Sequence, residues 1–184
     1  MITSAKPGVG RVAVVLPQGA LFRQGVEARI REHVLKSDLI EAVIGLAPNL
    51  FYGTGLAACV LVLRMAKRPA YQGRVLFING EKLLKKRRNQ NTLEPEHAKA
   101  LLEGYHAFTD EDGLSHVADL DEIAGNGFNL NIPLYVAPLD SGEEVTLGEA
   151  LERLEAAQQA SHETRAALEA ELAKWGLGMG GVTA

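Results

Sequence analysis

The sequence predicts an α/β fold, in which a small buried sheet containing parallel strands ends in an antiparallel hairpin and is followed by a helical tail. Three observations predict it. Between residues 11 and 65, apolar strand-like runs are separated by one segment with helical periodicity. Two of those runs are joined by a link too short to hold a helix. From residue 146 onward the apolar residues take up a spacing of seven.

Residues Arg11 to Leu16, RVAVVL, are β-branched and almost wholly apolar, which reads as a strand buried on both faces. A PQG turn follows. Val26, Ile30 and Val34 then recur every four residues, with Glu27, Arg29, Arg31 and Glu32 between them. This is the pattern of an amphipathic helix with its apolar stripe toward the core. Ile40 to Gly45, IEAVIG, is a second buried strand, so the order strand, helix, strand predicts a βαβ unit with a right-handed crossover. The NLFYGTG turn comes next, and Ala57 to Met65 is a third buried strand. With no room for a helix between them, strands two and three should form an antiparallel hairpin.

Arg74 to Asn79, RVLFIN, is a fourth strand, and EKLLKKRRNQN after it is polar and basic. Pro95 to Tyr105 predicts a helix carrying Ala98, Leu101, Leu102 and Tyr105 on one side. Ala118 to Pro138 is rich in Asp, Asn, Gly and Pro and reads as irregular packed chain. Thr146 with Glu149 fits a capping box that opens a long helix or a helical hairpin. There Leu147, Leu154, Leu168 and Trp175 form a heptad seam flanked by Leu151 and Leu172, with Gln158, Ser161 and Arg165 weakening its middle. The GLGMGGVTA end reads as frayed. Organisation is therefore expected as residues 1–70, 71–142 and 143–184. A sheet of so few strands leaves faces and edges uncovered. Either the later segments complete the sheet or the chain is the second half of a larger domain, and the first strand at the very start of the chain favours the second reading.

Composition narrows the function. The chain has 184 residues, 47% hydrophobic and 23% charged, as in an ordinary soluble protein. A formal net charge of −4 offers no global attraction to nucleic acid, so any such contact must be local. Cys59 is the only cysteine, which excludes an internal disulfide and a cysteine-rich zinc site. The histidines at 33, 97, 106, 116 and 162 show no ligand spacing, and no metal site is read. No apolar run approaches the ~20 residues of a membrane span, and MITSAKPGVG lacks signal architecture. No membrane association is expected, and the expected location is cytoplasmic.

The run from VVLPQGALF through NLFYGTGLAACVLVLR, continuing through RVLFING and RRNQNTL and again in FNLNIPLYV, resembles the methylation subunits of type I restriction–modification systems, an N6-adenine DNA methyltransferase family. The likeness covers roughly residues 11–138, and its motifs are specific in combination. It implies the C-terminal half of a Rossmann-like S-adenosylmethionine-dependent methyltransferase sheet. It also implies methyl transfer to an adenine flipped out of duplex DNA, and assembly with a specificity subunit and a restriction subunit. Two family features are absent: the aromatic-x-Gly-x-Gly cofactor loop and the Asn-Pro-Pro-aromatic catalytic tetrapeptide. Gly8-Val9-Gly10 precedes a strand instead of following one, Gly178 to Gly181 lies in the tail, and Pro48-Asn49 is in the wrong order. No catalytic residue is therefore assigned, and the chain is expected to be a fragment inactive alone.

Under that resemblance Phe51 and Tyr52 become a stacking surface for the flipped base, with Gly53 and Gly55 supplying positive φ and close approach of the turn. Read from composition alone, the two aromatics are ordinary core capping the sheet edge, because aromatics usually pack. Pro17, Gln18 and Gly19 end the first strand, where α/β sheets place ligands, and read as pocket lining or as a plain strand-to-helix turn. Lys82, Lys85, Lys86, Arg87 and Arg88 form the one basic cluster, either a contact for DNA phosphates or a solvated loop. The tail seam suits a helix packed on its own domain, a grip on the specificity subunit, or self-association of the fragment. The competing reading of the whole is a non-catalytic α/β interaction module that docks DNA or a protein partner.

Overall fold

The computed structural model describes residues 2–137 and 147–175. The chain divides into two units, Met1–Leu139 and Asp140–Ala184.

The first unit holds one five-stranded sheet: β1 (Arg11–Pro17), β2 (Ile40–Leu46), β3 (Ala58–Arg64), β4 (Arg74–Gly80) and β5 (Ser115–Asp119), in the spatial order β1-β3-β2-β4-β5. β1, β2 and β4 run in one direction, and β3 and β5 run against them. Strands on both sides of residue 70 thus share a single sheet. The predicted hairpin is present, with Val43 of β2 opposite Leu61 of β3 in antiparallel register. The predicted βαβ unit is altered. β1 and β2 are parallel, but β3 lies between them and pairs with both.

Two burial expectations are corrected. β1 is an edge strand on which exposed and half-buried residues alternate, and none is buried. Its β-branched residues dictate extended backbone, but burial on both faces needs elements packed above and below. β1 instead lines open grooves, with Ile30 and Val34 on one side and with Leu101 and Leu102 on the other. The helix α1 (Val26–Lys36) forms where predicted, with a different face inward. Arg31 and Leu35 are buried, while Val26 and Ile30 are exposed. Ile30 and Val34 instead line an open apolar groove of about 510 Å³ with Val12, Val14 and Leu16 of β1.

Helices and loops cover both faces of the sheet. On one side Leu21, Leu35, Ile123, Leu130, Ile132 and Tyr135 pack on Val43, Val75 and Phe77. On the other, α2 (Pro95–Ala107) places Leu101 on Ala42, Leu76 and Ile78. Ala98 and Leu102 of its predicted apolar side remain exposed, lining a second open groove against Val60 and Val62. Residues 115–125, partly read as irregular, form β5 and the short helix α3 (Leu120–Gly125). The Asp119 carboxylate caps α3 by accepting from Glu122 N at 2.8 Å. This cap was legible in the sequence but was hidden among turn-forming residues.

The end of the sheet where β2 begins is closed by charge. Glu41, 2% exposed, lies 2.6 Å from Arg64 Nε and accepts the Tyr105 hydroxyl hydrogen. Burial, and then this carboxylate, push the Tyr105 phenol upward in pKa.

The second unit contributes α4 (Leu147–Lys174), one continuous helix and not a helical hairpin. Leu147, Leu151, Leu154, Leu168 and the following Trp175 are exposed. Thr146 of the expected capping box and the glycine-rich end lie outside the described residues. No described helix is long and apolar enough to cross a membrane.

Candidate nucleic-acid-binding site

Because β1, β2 and β4 are codirectional, the chain leaves all three at the same end of the sheet. The PQG turn follows β1, the NLFYGTG turn follows β2, and the basic loop follows β4. Carboxyl ends of parallel strands are where open α/β sheets hold ligands. Segments that read separately along the sequence are thereby gathered into one place.

The NLFYGTG turn does not bury its aromatics. Phe51 is 42% exposed and Tyr52 94% exposed, so the reading of both as core is overturned. Gly53 takes a φ of 76°, as expected. Gly55 does not take a positive φ, and a Cβ at either glycine would meet open space. Among the described residues, nothing approaches either glycine closely. Asn49 instead adopts the second left-handed conformation, at φ 57°. Phe51 and Pro17 line a shared apolar cleft of about 210 Å³ with Val15, Leu16, Leu56 and Ala58.

The basic loop is bound to this turn. Asn91 Nδ2 donates to Pro48 O at 2.9 Å, Asn91 N to Asn49 O at 2.9 Å, and Gln90 Nε2 to Leu50 O at 2.7 Å. Turn carbonyls, which no ladder satisfies, need such partners. At its base the loop is closed by mutual backbone hydrogen bonds between Lys85 and Thr92. Arg87 is taken up inside the loop, donating to Glu94 and to Thr92 Oγ1, both at 3.1 Å. The Thr92 hydroxyl, donating to Glu94 Oε1 at 2.9 Å, and then the Arg87 guanidinium hold the Glu94 carboxyl below its usual pKa. Lys85, Lys86 and Arg88 are exposed beside the aromatic turn.

Gln18 begins the turn after β1, where its backbone N–H donates to Ala57 O at 3.2 Å. That turn is fixed by Arg31, 7% exposed, whose guanidinium donates to Phe128 O at 2.8 Å, Ala20 O at 3.1 Å and Arg23 O at 3.2 Å. Leu130 N donates to Leu21 O at 3.0 Å. Further on, Ile132 reaches the end of β2: a Cβ on Gly45 would stand 2.7 Å from its Cδ1. Tyr135 stacks on Phe77 with ring centroids 3.8 Å apart. The LPQGALF, NLFYGTG and NLNIPLYV segments thus converge on one end of one sheet.

That convergence of three motifs is matched by comparison with known proteins. Residues 1–144 match the profile of N-6 DNA Methylase. The chain belongs to the N-6 DNA methylase family. The type I restriction enzyme MjaVIII methylase subunit of Methanocaldococcus jannaschii is 38% identical over 147 residues, 78% of this chain and 25% of that protein. The MjaVII methylase subunit of the same organism is 39% identical over 145 residues, 77% of this chain and 25% of that protein. A crystal structure of a type I restriction–modification methyltransferase subunit from Streptococcus thermophilus superposes with a TM-score of 0.65 at 38% identity, covering 69% of this chain and 26% of that one. The chain therefore spans about a quarter of the length of the relatives it matches.

Within this N-6 DNA methylase chain, the described residues do not fit a methyl-donor loop. Gly8 and Gly10 lie before β1, at the end of the sheet away from the aromatic turn, and a Cβ on Gly10 would meet Lys6 O at 2.7 Å. The role of Arg31 is not legible locally, because nothing in the helix pattern marks an arginine that caps carbonyls. Gln90 and Asn91 follow the basic run within family-like sequence, which suits a structural or DNA-facing role, but their partners lie 40 or more residues away.

Proposed function

We propose that this chain supplies one wall of the base pocket in a site-specific adenine-N6 DNA methyltransferase, the modification subunit of a type I restriction–modification system. The observation that carries the reading is the pair of uncovered aromatics, Phe51 and Tyr52, standing beside an apolar cleft at the carboxyl end of the parallel strands. An adenine drawn from the stack has two π faces and little charge. An exposed aromatic and an apolar cleft meet those needs. Pro17 and Gln18 border the same end, with Gly53 setting the turn. Lys85, Lys86 and Arg88 supply positive charge where a duplex backbone would pass, and Arg87 braces their loop.

S-adenosylmethionine is the methyl donor of the proposed parent reaction. It supplies the methyl group that adenine N6 accepts, and no step at the donor is assigned to this chain. The proposed partners are DNA, a specificity subunit and a restriction subunit, and the proposed location is the cytoplasm. The exposed leucine and tryptophan seam of α4 supports a grip on a partner subunit. It equally supports the second reading, a non-catalytic docking module for DNA or protein.

The test is adenine methylation by the full-length subunit assembled with its partners. Phe51→Ala and Tyr52→Ala should lower kcat/KM, and loss of ~1–3 kcal/mol of stacking corresponds to roughly 5- to 150-fold. Unchanged methylation kinetics and DNA binding in both variants would overturn the proposal.

A further inference from the structure

We infer that Gln90 and Asn91 are positioning residues for the base-accepting turn, holding the Phe51–Tyr52 backbone in place through three consecutive carbonyls. The inference rests on the base-pocket reading above. Pro48, Asn49 and Leu50 each present a carbonyl, and each accepts one hydrogen bond from this pair, at 2.9, 2.9 and 2.7 Å. Two of the three donors are side-chain amides, so a side chain of similar size without an N–H cannot replace them.

Packing does not hold Tyr52, and it holds Phe51 only on the side that lines the apolar cleft. Tyr52 is 94% exposed and Phe51 42% exposed, and neither takes part in an aromatic contact among the described residues. The turn also contains Asn49 at φ 57°, a left-handed conformation that asparagine adopts more readily than most residues. The 89–91 segment meets its carbonyl. It is braced on one side by the Lys85–Thr92 bridge and tied to α2 through Thr92 and Arg87, both bonded to Glu94. A bonded support behind an exposed aromatic pair is what precise placement of a planar ligand needs, because errors near 1 Å are costly.

The experiment uses the full 184-residue chain and a single-stranded oligodeoxynucleotide containing 2-aminopurine, whose fluorescence is quenched by stacking. Anisotropy gives affinity and its salt slope, which reports phosphate contacts. The wild-type chain should quench the probe, and Phe51→Ala with Tyr52→Ala should abolish the quench. Gln90→Met and Asn91→Ala, made singly, should each reduce the saturated quench by at least half, with the salt slope and thermal midpoint retained. Full quench in both clamp variants, with loss in the aromatic variants, overturns the positioning role and leaves the base-pocket reading standing. Unfolding of either clamp variant assigns the pair a purely structural role and also overturns the inference. No quench by the wild-type chain overturns the base-pocket reading and the inference together.

Discussion

The two ends of β2 are held by opposite means. Where β2 begins, Glu41 is sealed with Arg64 and Tyr105, and charge is buried against charge. Where β2 ends, no charge is buried in the NLFYGTG turn. Its carbonyls are met by side-chain amides, and its aromatics face solvent. The first arrangement tolerates no opening, since either partner left alone would be an uncompensated charge. The second leaves its large rings available at no such cost. The contrast separates the end that keeps the fold closed from the end proposed to receive the base.

The widest break of that contrast is Arg64→Ala. It leaves the Glu41 carboxylate buried without its cation, and a loss of about 3–5 kcal/mol is expected in urea denaturation. A variant as stable as the parent would erase the distinction between the ends. Arg31→Met comes next. Removing a buried guanidinium that serves three carbonyls should cost about 2–4 kcal/mol, read in the same titration. It tests whether the first turn, at the end where the parallel strands finish, depends on buried charge as the far end does. Tyr52→Ala should move stability by less than about 0.5 kcal/mol while lowering the binding of single-stranded DNA. A large stability loss would show that the ring is packed. The smallest effect concerns Cys59, buried in β3 opposite Leu16. Burial pushes its thiol up to about 11. At pH 8 roughly one thiol in a thousand is ionised, so a thiol reagent should label Cys59 only after urea unfolding. Rapid native labelling would show that the end where the parallel strands finish opens well beyond its surface turn.

Most elements were legible because their signals are local. RVAVVL, IEAVIG and ACVLVLR are strands for their β-branched apolar content, and the short link between the last two forces a hairpin. What failed were statements about which side chains each element would meet. Val26 and Ile30 look like a core stripe, yet Arg31 is the inward residue, since the carbonyls of Ala20, Arg23 and Phe128 await it there. β1 looks central and is an edge, because β3 inserts between it and β2. The aromatics, the basic run and the Pro17–Gln18 turn were each singled out, but nothing local places them at one end of the sheet.

By itself, the sequence determined the α/β class, the hairpin, the residues that resemble an N6-adenine methylase, and the absence of an internal disulfide. Tertiary structure alone decided the strand order, the inward face of α1, the solvent exposure of Phe51 and Tyr52, and the grip of Gln90 and Asn91 on their turn. The division has a physical cause. Periodicity and turn chemistry act between near neighbours in the chain, whereas a carbonyl at residue 50 and an amide at residue 90 meet only after β2 and β4 have paired.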